Sequence, residues 1–228
     1  MSFLLKSLYS SVYALIKTME FTGEFETHLT IRLEDEKSLD ALRVWGAAHD
    51  LKCLHIVLER GEVSSQPMLT RRSNGKLRTE IDIAHRLKDL LNAQGFSVTR
   101  IKIEAAPWNE DVPQSAAEIG ESSPSRYFES HIRILFDQRR DSVELVEVVT
   151  KHSAHLSRNA LRLCEDGFEE RFITQRFWTG GYTEARNMLN ELLREIRLLG
   201  YTVIDLEEEY VVYDSNLKLD AGWIEVKE

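Results

Sequence analysis

A chain of 228 residues, 43% hydrophobic and 29% charged, is long enough to bury a sizeable core and is not composed like a disordered one. Its formal net charge of −9 excludes broad electrostatic attachment to nucleic acid or to an anionic membrane. The two cysteines, Cys53 and Cys164, have neither metal nor redox spacing, which points to a reducing, cytoplasmic setting without a disulfide framework.

Residues 1–18 contain no acidic residue, and their apolar run Val12-Tyr13-Ala14-Leu15-Ile16 is too short to span a bilayer. They read as a dispensable leader, with Met19 as the working start. Residues 24–33 alternate, with Phe25, Thr27, Leu29, Ile31 and Leu33 on one face and Glu24, Glu26, His28, Thr30 and Arg32 on the other, which predicts a half-buried strand. A helix capped by Ser38 follows, with Leu39, Leu42 and Trp45 in phase. Strands are predicted at 52–60 and 67–72, the second ending at the turn signal Ser73-Asn74-Gly75. Ile83, Leu87, Leu90 and Leu91 place a helix over 77–94, stopped by Gly95, and a closing strand covers 96–104. Residues 105–125 lack periodicity and form a linker.

The second half repeats this order. A strand is predicted at 126–136 and a helix from the capping pair Asp141 and Glu144 to about His155. Strands at 161–164 and 171–177 come next, then a helix over 183–199 with Met188, Leu189, Leu192, Leu193 and Ile196 in phase, and a last strand over 201–213. The apolar residues Leu217, Leu219, Trp223, Ile224 and Val226 suit a tail, 214–228, that packs back on the rest.

Phe25-Glu26-Thr27-His28-Leu29-Thr30-Ile31 returns as Phe128-Glu129-Ser130-His131-Ile132-Arg133-Ile134, an offset of 103 residues that also relates His49 to His152. Leu69-Thr70-Arg71-Arg72 matches Ile173-Thr174-Gln175-Arg176 at 104, and Gly95-Phe96-Ser97-Val98 matches Gly200-Tyr201-Thr202-Val203 at 105. Four blocks with so little drift indicate an internal duplication. The expected fold is α+β, a tandem pair of ferredoxin-like βαββαβ units: one lobe over 19–104, the linker 105–125, and a second lobe over 126–213.

In such a unit both helices cover one sheet face and leave the other open. On the closing strands Arg100 and Lys102 correspond to Asp205 and Glu207, so equivalent positions carry opposite charge. This suggests two open faces turned toward each other about a pseudo-twofold axis, lined by structural salt bridges or by a polar cleft.

Paired histidines at equivalent positions, His28 and His131, suit acid–base work, one imidazole taking a proton while the other gives one. Here the chain resembles the 2H phosphoesterases, a family with a duplicated plan and one His-x-Thr/Ser motif per lobe. His28-Leu29-Thr30 matches that motif, and His131-Ile132-Arg133 carries Arg where the family has Thr or Ser. The resemblance implies a metal-independent phosphodiesterase with His28 and His131 catalytic, acting on a small nucleotide or other phosphorylated molecule. Thr30, Arg133, Arg72 and Arg176 are the candidate contacts to its phosphate. The competing expectation is a non-catalytic module that binds a small molecule or a protein. His49 and His152 fit helix ends, where a cation favours the dipole. His152 and His155, three apart, have no third ligand specified by the sequence, so neither a metal nor another cofactor is expected.

Overall fold

A computed structural model describes residues 20–119, 125–161 and 167–223. The expected leader at 1–18, most of the expected strand at 161–164, and Ile224 and Val226 of the tail lie outside the described residues. Twelve elements carry the fold: β1 (Thr22–Arg32), α1 (Glu36–Ala48), β2 (Lys52–Leu58), β3 (Ser65–Lys76), α2 (Leu77–Ala93), β4 (Ser97–Ala105), β5 (Tyr127–Asp137), α3 (Val143–Lys151), β6 (Ala154–Asn159), β7 (Phe168–Phe177), α4 (Tyr182–Leu198) and β8 (Thr202–Asp214). Among the described residues no helix is long and apolar enough to cross a membrane.

The eight strands form one closed antiparallel barrel in the order β1-β3-β2-β6-β7-β5-β8-β4. Within each half the order is the same, β4-β1-β3-β2 and β8-β5-β7-β6. Two seams join the halves, a short one in which Ile56, Val57 and Leu58 face Asn159, Arg158 and Ser157, and one running from Lys102↔Asp214 to Ala105↔Tyr210. The expected open faces are therefore the inside of a barrel, and closure leaves no free sheet edge.

Alternation on each strand decides what faces inward. On β1, Phe25, Leu29 and Ile31 are buried beneath α1 and α2 with Leu42, Leu77, Ala84 and Leu91. On β5, Ile132, Ile134 and Phe136 pack with Leu145, Leu189, Leu192 and Ile196 of α3 and α4. The apolar cores thus lie outside the barrel, under the helices, where each fully buried Leu, Ile or Phe contributes about 1.5–3 kcal/mol. The polar faces of the same strands turn into the lumen.

Several boundaries differ from expectation for local reasons. Asp35, not Ser38, caps α1, its Oδ1 accepting from the Ser38 backbone N–H at 2.8 Å and the Ser38 hydroxyl at 2.7 Å. Ser73-Asn74-Gly75 is not a turn: β3 continues to Lys76 because these residues pair with Phe25, Glu24 and Gly23. Helix α3 stops at Lys151, with His152 at its C-cap and Ser153 at φ 51, so His155 belongs to strand β6 and not to a helix. The strand expected at 161–164 has its counterpart in β6, where Ala154 and Leu156 join the second core.

Leu217–Asp220 forms one 3₁₀ turn, after which Trp223 is buried against Leu58, its indole N–H donating to the Leu156 carbonyl at 3.2 Å. Of the linker, Pro113 and Gln114 accept the N–H groups of Tyr182 and Thr183 at 2.9 and 3.1 Å. These bonds satisfy two of the donors that the start of α4 leaves free.

Candidate functional site

The lumen holds a cavity of about 220 Å³ lined from all eight strands and from Asp220 and Trp223 of the tail. One end is closed. Asp220 is buried there, accepting from Arg100 at 2.9 Å, Arg176 at 2.7 Å and Gln66 at 3.1 Å. Lys52, Arg72, Asp205 and Glu207 line the opposite end and are exposed, so that end is the mouth.

All six candidate residues, His28, Thr30, Arg72, His131, Arg133 and Arg176, line this one cavity. The two imidazoles sit in matching settings. His28 Nδ1 is 2.9 Å from Thr70 Oγ1, and its Nε2 is 2.7 Å from Glu104. His131 Nδ1 is 3.0 Å from Thr174 Oγ1, and its Nε2 is 3.2 Å from Glu129 and 3.6 Å from Glu209. Thr70 and Thr174 are repeat-equivalent at offset 104, and Glu104 and Glu209 at offset 105. Two Thr–His–Glu triads therefore converge inside the barrel. Glu104, His131 and Glu209 each offer a ligand atom, all within 4.8 Å of one another.

The charges do not follow the simple opposition of Arg100 with Asp205 and Lys102 with Glu207. Five luminal cations instead contact two carboxylates each: Arg72 with Glu26 and Glu207, Arg100 with Asp214 and Asp220, Lys102 with Glu104 and Glu129, Arg133 with Glu170 and Asp205, and Arg176 with Glu129 and Asp220. Burial opposes ionisation of Glu104, but Lys102 and then His28 outweigh it and hold the carboxyl at about 2. Glu129 is likewise held well below the usual range against its burial, by Arg176 and Lys102. Glu209 goes the other way. Burial and the neighbouring Glu104 and Glu26 push its carboxyl well above the usual range. Among the described residues its direct ion-pair contact is His131 alone.

The fold and site define an eight-stranded antiparallel barrel with a charged, ion-paired lumen and its apolar cores outside. No protein-family model matches the chain, and no curated protein does. Among solved structures it is similar to a chlorite dismutase variant from Candidatus Nitrospira defluvii at 13% identity, covering 92% of this chain and 96% of that one with a TM-score of 0.27. It is also similar to chlorite dismutase from the same organism in complex with imidazole, at 14% identity over 90% and 95% of the two chains with a TM-score of 0.27. A protein assigned as a monooxygenase from Fusobacterium nucleatum subsp. nucleatum matches at 9% identity over 91% and 98%, with a TM-score of 0.29. At these scores no chemistry passes from those proteins to this chain.

The expectation of a phosphodiesterase is overturned. The lumen gives the physical reason. A phosphate needs cations with donors to spare, whereas Arg72, Arg133 and Arg176 are each shared between two carboxylates, and Arg176 is 4% exposed. The binding-module alternative finds no support in these likenesses either. His49 and His152 do stand at the C-caps of α1 and α3. His155 is separated from that role and contacts Arg60 Nη2 at 3.1 Å.

Thr70, Thr174, Glu104 and Glu209 were not among the candidates. Their signal lay in the same repeat: both threonines fall inside a matched block, and both glutamates occupy one register on the closing strands.

Proposed function

We propose that the barrel lumen is a catalytic site for a small molecule, built around a divalent metal ion held by Glu104, His131 and Glu209. The observation that carries this is the convergence of three ligand atoms within 4.8 Å, where Glu104 has Lys102 beside it and Glu209 contacts no Lys or Arg among the described residues. A divalent cation there relieves the repulsion between Glu104 and Glu209. The donor set of two carboxylates and one imidazole suits Zn²⁺, Mn²⁺ or Fe²⁺. Three protein ligands leave coordination positions for water or substrate, as catalytic centres require, and the ion would supply Lewis acidity.

The surrounding residues fit that role. With His131 Nδ1–H donating to Thr174 Oγ1 at 3.0 Å, Nε2 presents its lone pair to the ion. His28 holds Glu104 from behind at 2.7 Å, itself fixed by Thr70 at 2.9 Å. Lys102 contacts the other Glu104 oxygen at 2.6 Å. Each carboxylate oxygen keeps a further lone pair for a metal.

The two units, 19–104 and 126–213, are read as products of one duplication. The repeated strand order and the paired triads support this. The copies then diverged where Lys102 has Glu207 as its equivalent, so that Glu104 has an ammonium partner and Glu209 does not.

Calorimetric titration of the wild-type chain and of Glu209→Gln with Zn²⁺ and Mn²⁺ tests the proposal. One ion per chain, lost in the variant, supports it. No binding by the wild type overturns it.

A further inference from the structure

From the shape and lining of the cavity around this centre, we infer that its substrate is a small amphipathic molecule of about nine non-hydrogen atoms in all: an oxygen donor at one end, an apolar body, and at most one negative charge. The inference rests on the metal-centre reading and adds the class of molecule that reaches it.

Three observations carry it. First, the barrel order sets β2 opposite β8: the metal-binding side is β5-β8-β4, and the strands facing it are β3, β2 and β6. On that far side β2 turns Leu54, Ile56 and Leu58 into the cavity, flanked by Met68 of β3 and Phe172 of β7. A molecule that reaches the ion with a polar end lays its remainder against this wall. Second, the size is limited. A cavity of about 150 Å³ lined by apolar side chains admits benzene, so about 220 Å³ admits roughly nine non-hydrogen atoms by the same scale. Third, the sign of the lumen is fixed. Arg72, Arg100, Lys102, Arg133 and Arg176 each already serve two carboxylates, which among the described lining residues leaves Lys52 at the mouth, so a second negative charge on the substrate meets carboxylates with no cation left to offset them.

The closed end fits the same molecule. Trp223 lies at that end beside Leu58, with its indole N–H already bound to the Leu156 carbonyl, and so presents only its apolar body. Entry is from the mouth between Arg72 and Glu207, which are 2.8 Å apart and carry exposed side chains free to part.

The test uses the full chain and two metal-chelating probes, benzohydroxamate and acetohydroxamate, which share a donor end and differ in the ring. Calorimetry first measures Zn²⁺ binding, then titrates each probe into the Zn²⁺-loaded chain. The expected result is that benzohydroxamate binds at least tenfold tighter. Leu54→Thr and Ile56→Thr should narrow that ratio to less than about threefold while Zn²⁺ affinity is unchanged. If Zn²⁺ does not bind, the metal centre fails and this inference falls with it. If Zn²⁺ binds but the probes bind the wild type equally, the metal centre stands and the amphipathic substrate is refuted. The wild-type comparison decides this even where a variant does not fold. A variant that folds, binds Zn²⁺ and keeps the full tenfold ratio also refutes the assignment of the β2 wall.

Discussion

Glu104 and Glu209 stand 105 positions apart, at repeat-equivalent places on β4 and β8, and their carboxylates lie within 4.8 Å of each other and of the His131 ring. Two acids so close and so buried are stable when something positive is shared between them, or when one is neutral. Glu104 is served by Lys102 and His28, whereas Glu209 has His131. Glu209→Gln should weaken Zn²⁺ binding by more than the ~10–100-fold typical of losing an outer-shell partner. In the metal-free chain the same change should leave the melting temperature equal or higher, because it removes a carboxyl that burial keeps from ionising. Calorimetry and thermal melts check the two halves separately.

Thr174 acts on the ion only through His131. Thr174→Val keeps the shape and removes the hydroxyl 3.0 Å from Nδ1, so Zn²⁺ affinity should fall by ~10–100-fold. Thr174→Ser should restore it. A purely structural threonine would give variants whose melts change together with no selective loss of affinity.

Asp220 closes the barrel. It is 1% exposed and binds two guanidinium groups, Arg100 and Arg176, besides the Gln66 amide. Asp220→Ala leaves both cations short of a partner in a buried site, and denaturant unfolding should show a loss of ~3–5 kcal/mol. A loss under about 1 kcal/mol would mean that the tail is not part of the folded closure.

His155 predicts a pH dependence. Burial, and then the Arg60 guanidinium, lower its pKa to about 4 from the ordinary 6.5. As pH falls, the unfolded chain takes up the proton near 6.5 and the folded chain only near 4, so this residue makes stability decline across that window. His155→Gln should flatten the fall in melting temperature between pH 6.5 and 4. Parallel curves for the two proteins would contradict this assignment.

Gly181 precedes α4 with the linker against it. A Cβ there would meet the Ser115 backbone at 2.3–2.5 Å, and the Ser115 backbone is not the movable end of a side chain. Gly181→Ala should expose the linker to proteolysis between 105 and 125 and lower the melting temperature. The bonds from Pro113 and Gln114 to the start of α4 are the ones it breaks.

Much of this was legible in the sequence, and the losses have physical reasons. The alternation at Phe25, Leu29 and Ile31 and the helical phase of Leu189, Leu192 and Ile196 report burial on one face, which is a local property, and both elements lie where the pattern puts them. Strand β6 was hidden because Ser153 ends α3 through a positive φ that no Gly announces. Barrel closure was hidden because it depends on seams such as the three pairs between β2 and β6, whose residues carry no mark of their partners. The histidines stood out through their repeat. The glutamates they serve were less legible because the reversed charges at Lys102 and Glu207, two residues earlier on the same strands, do not say which groups pair with which. Lys102 pairs instead with Glu104 and Glu129, and Glu207 with Arg72.

Anomalous diffraction from crystals of the full chain soaked in Zn²⁺ tests the central claim most directly. The account predicts one strong anomalous peak inside the barrel, within about 2.0–2.2 Å of a Glu104 oxygen, a Glu209 oxygen and His131 Nε2. A lumen without such a peak, while Zn²⁺ occupies surface sites of the same crystals, would contradict it.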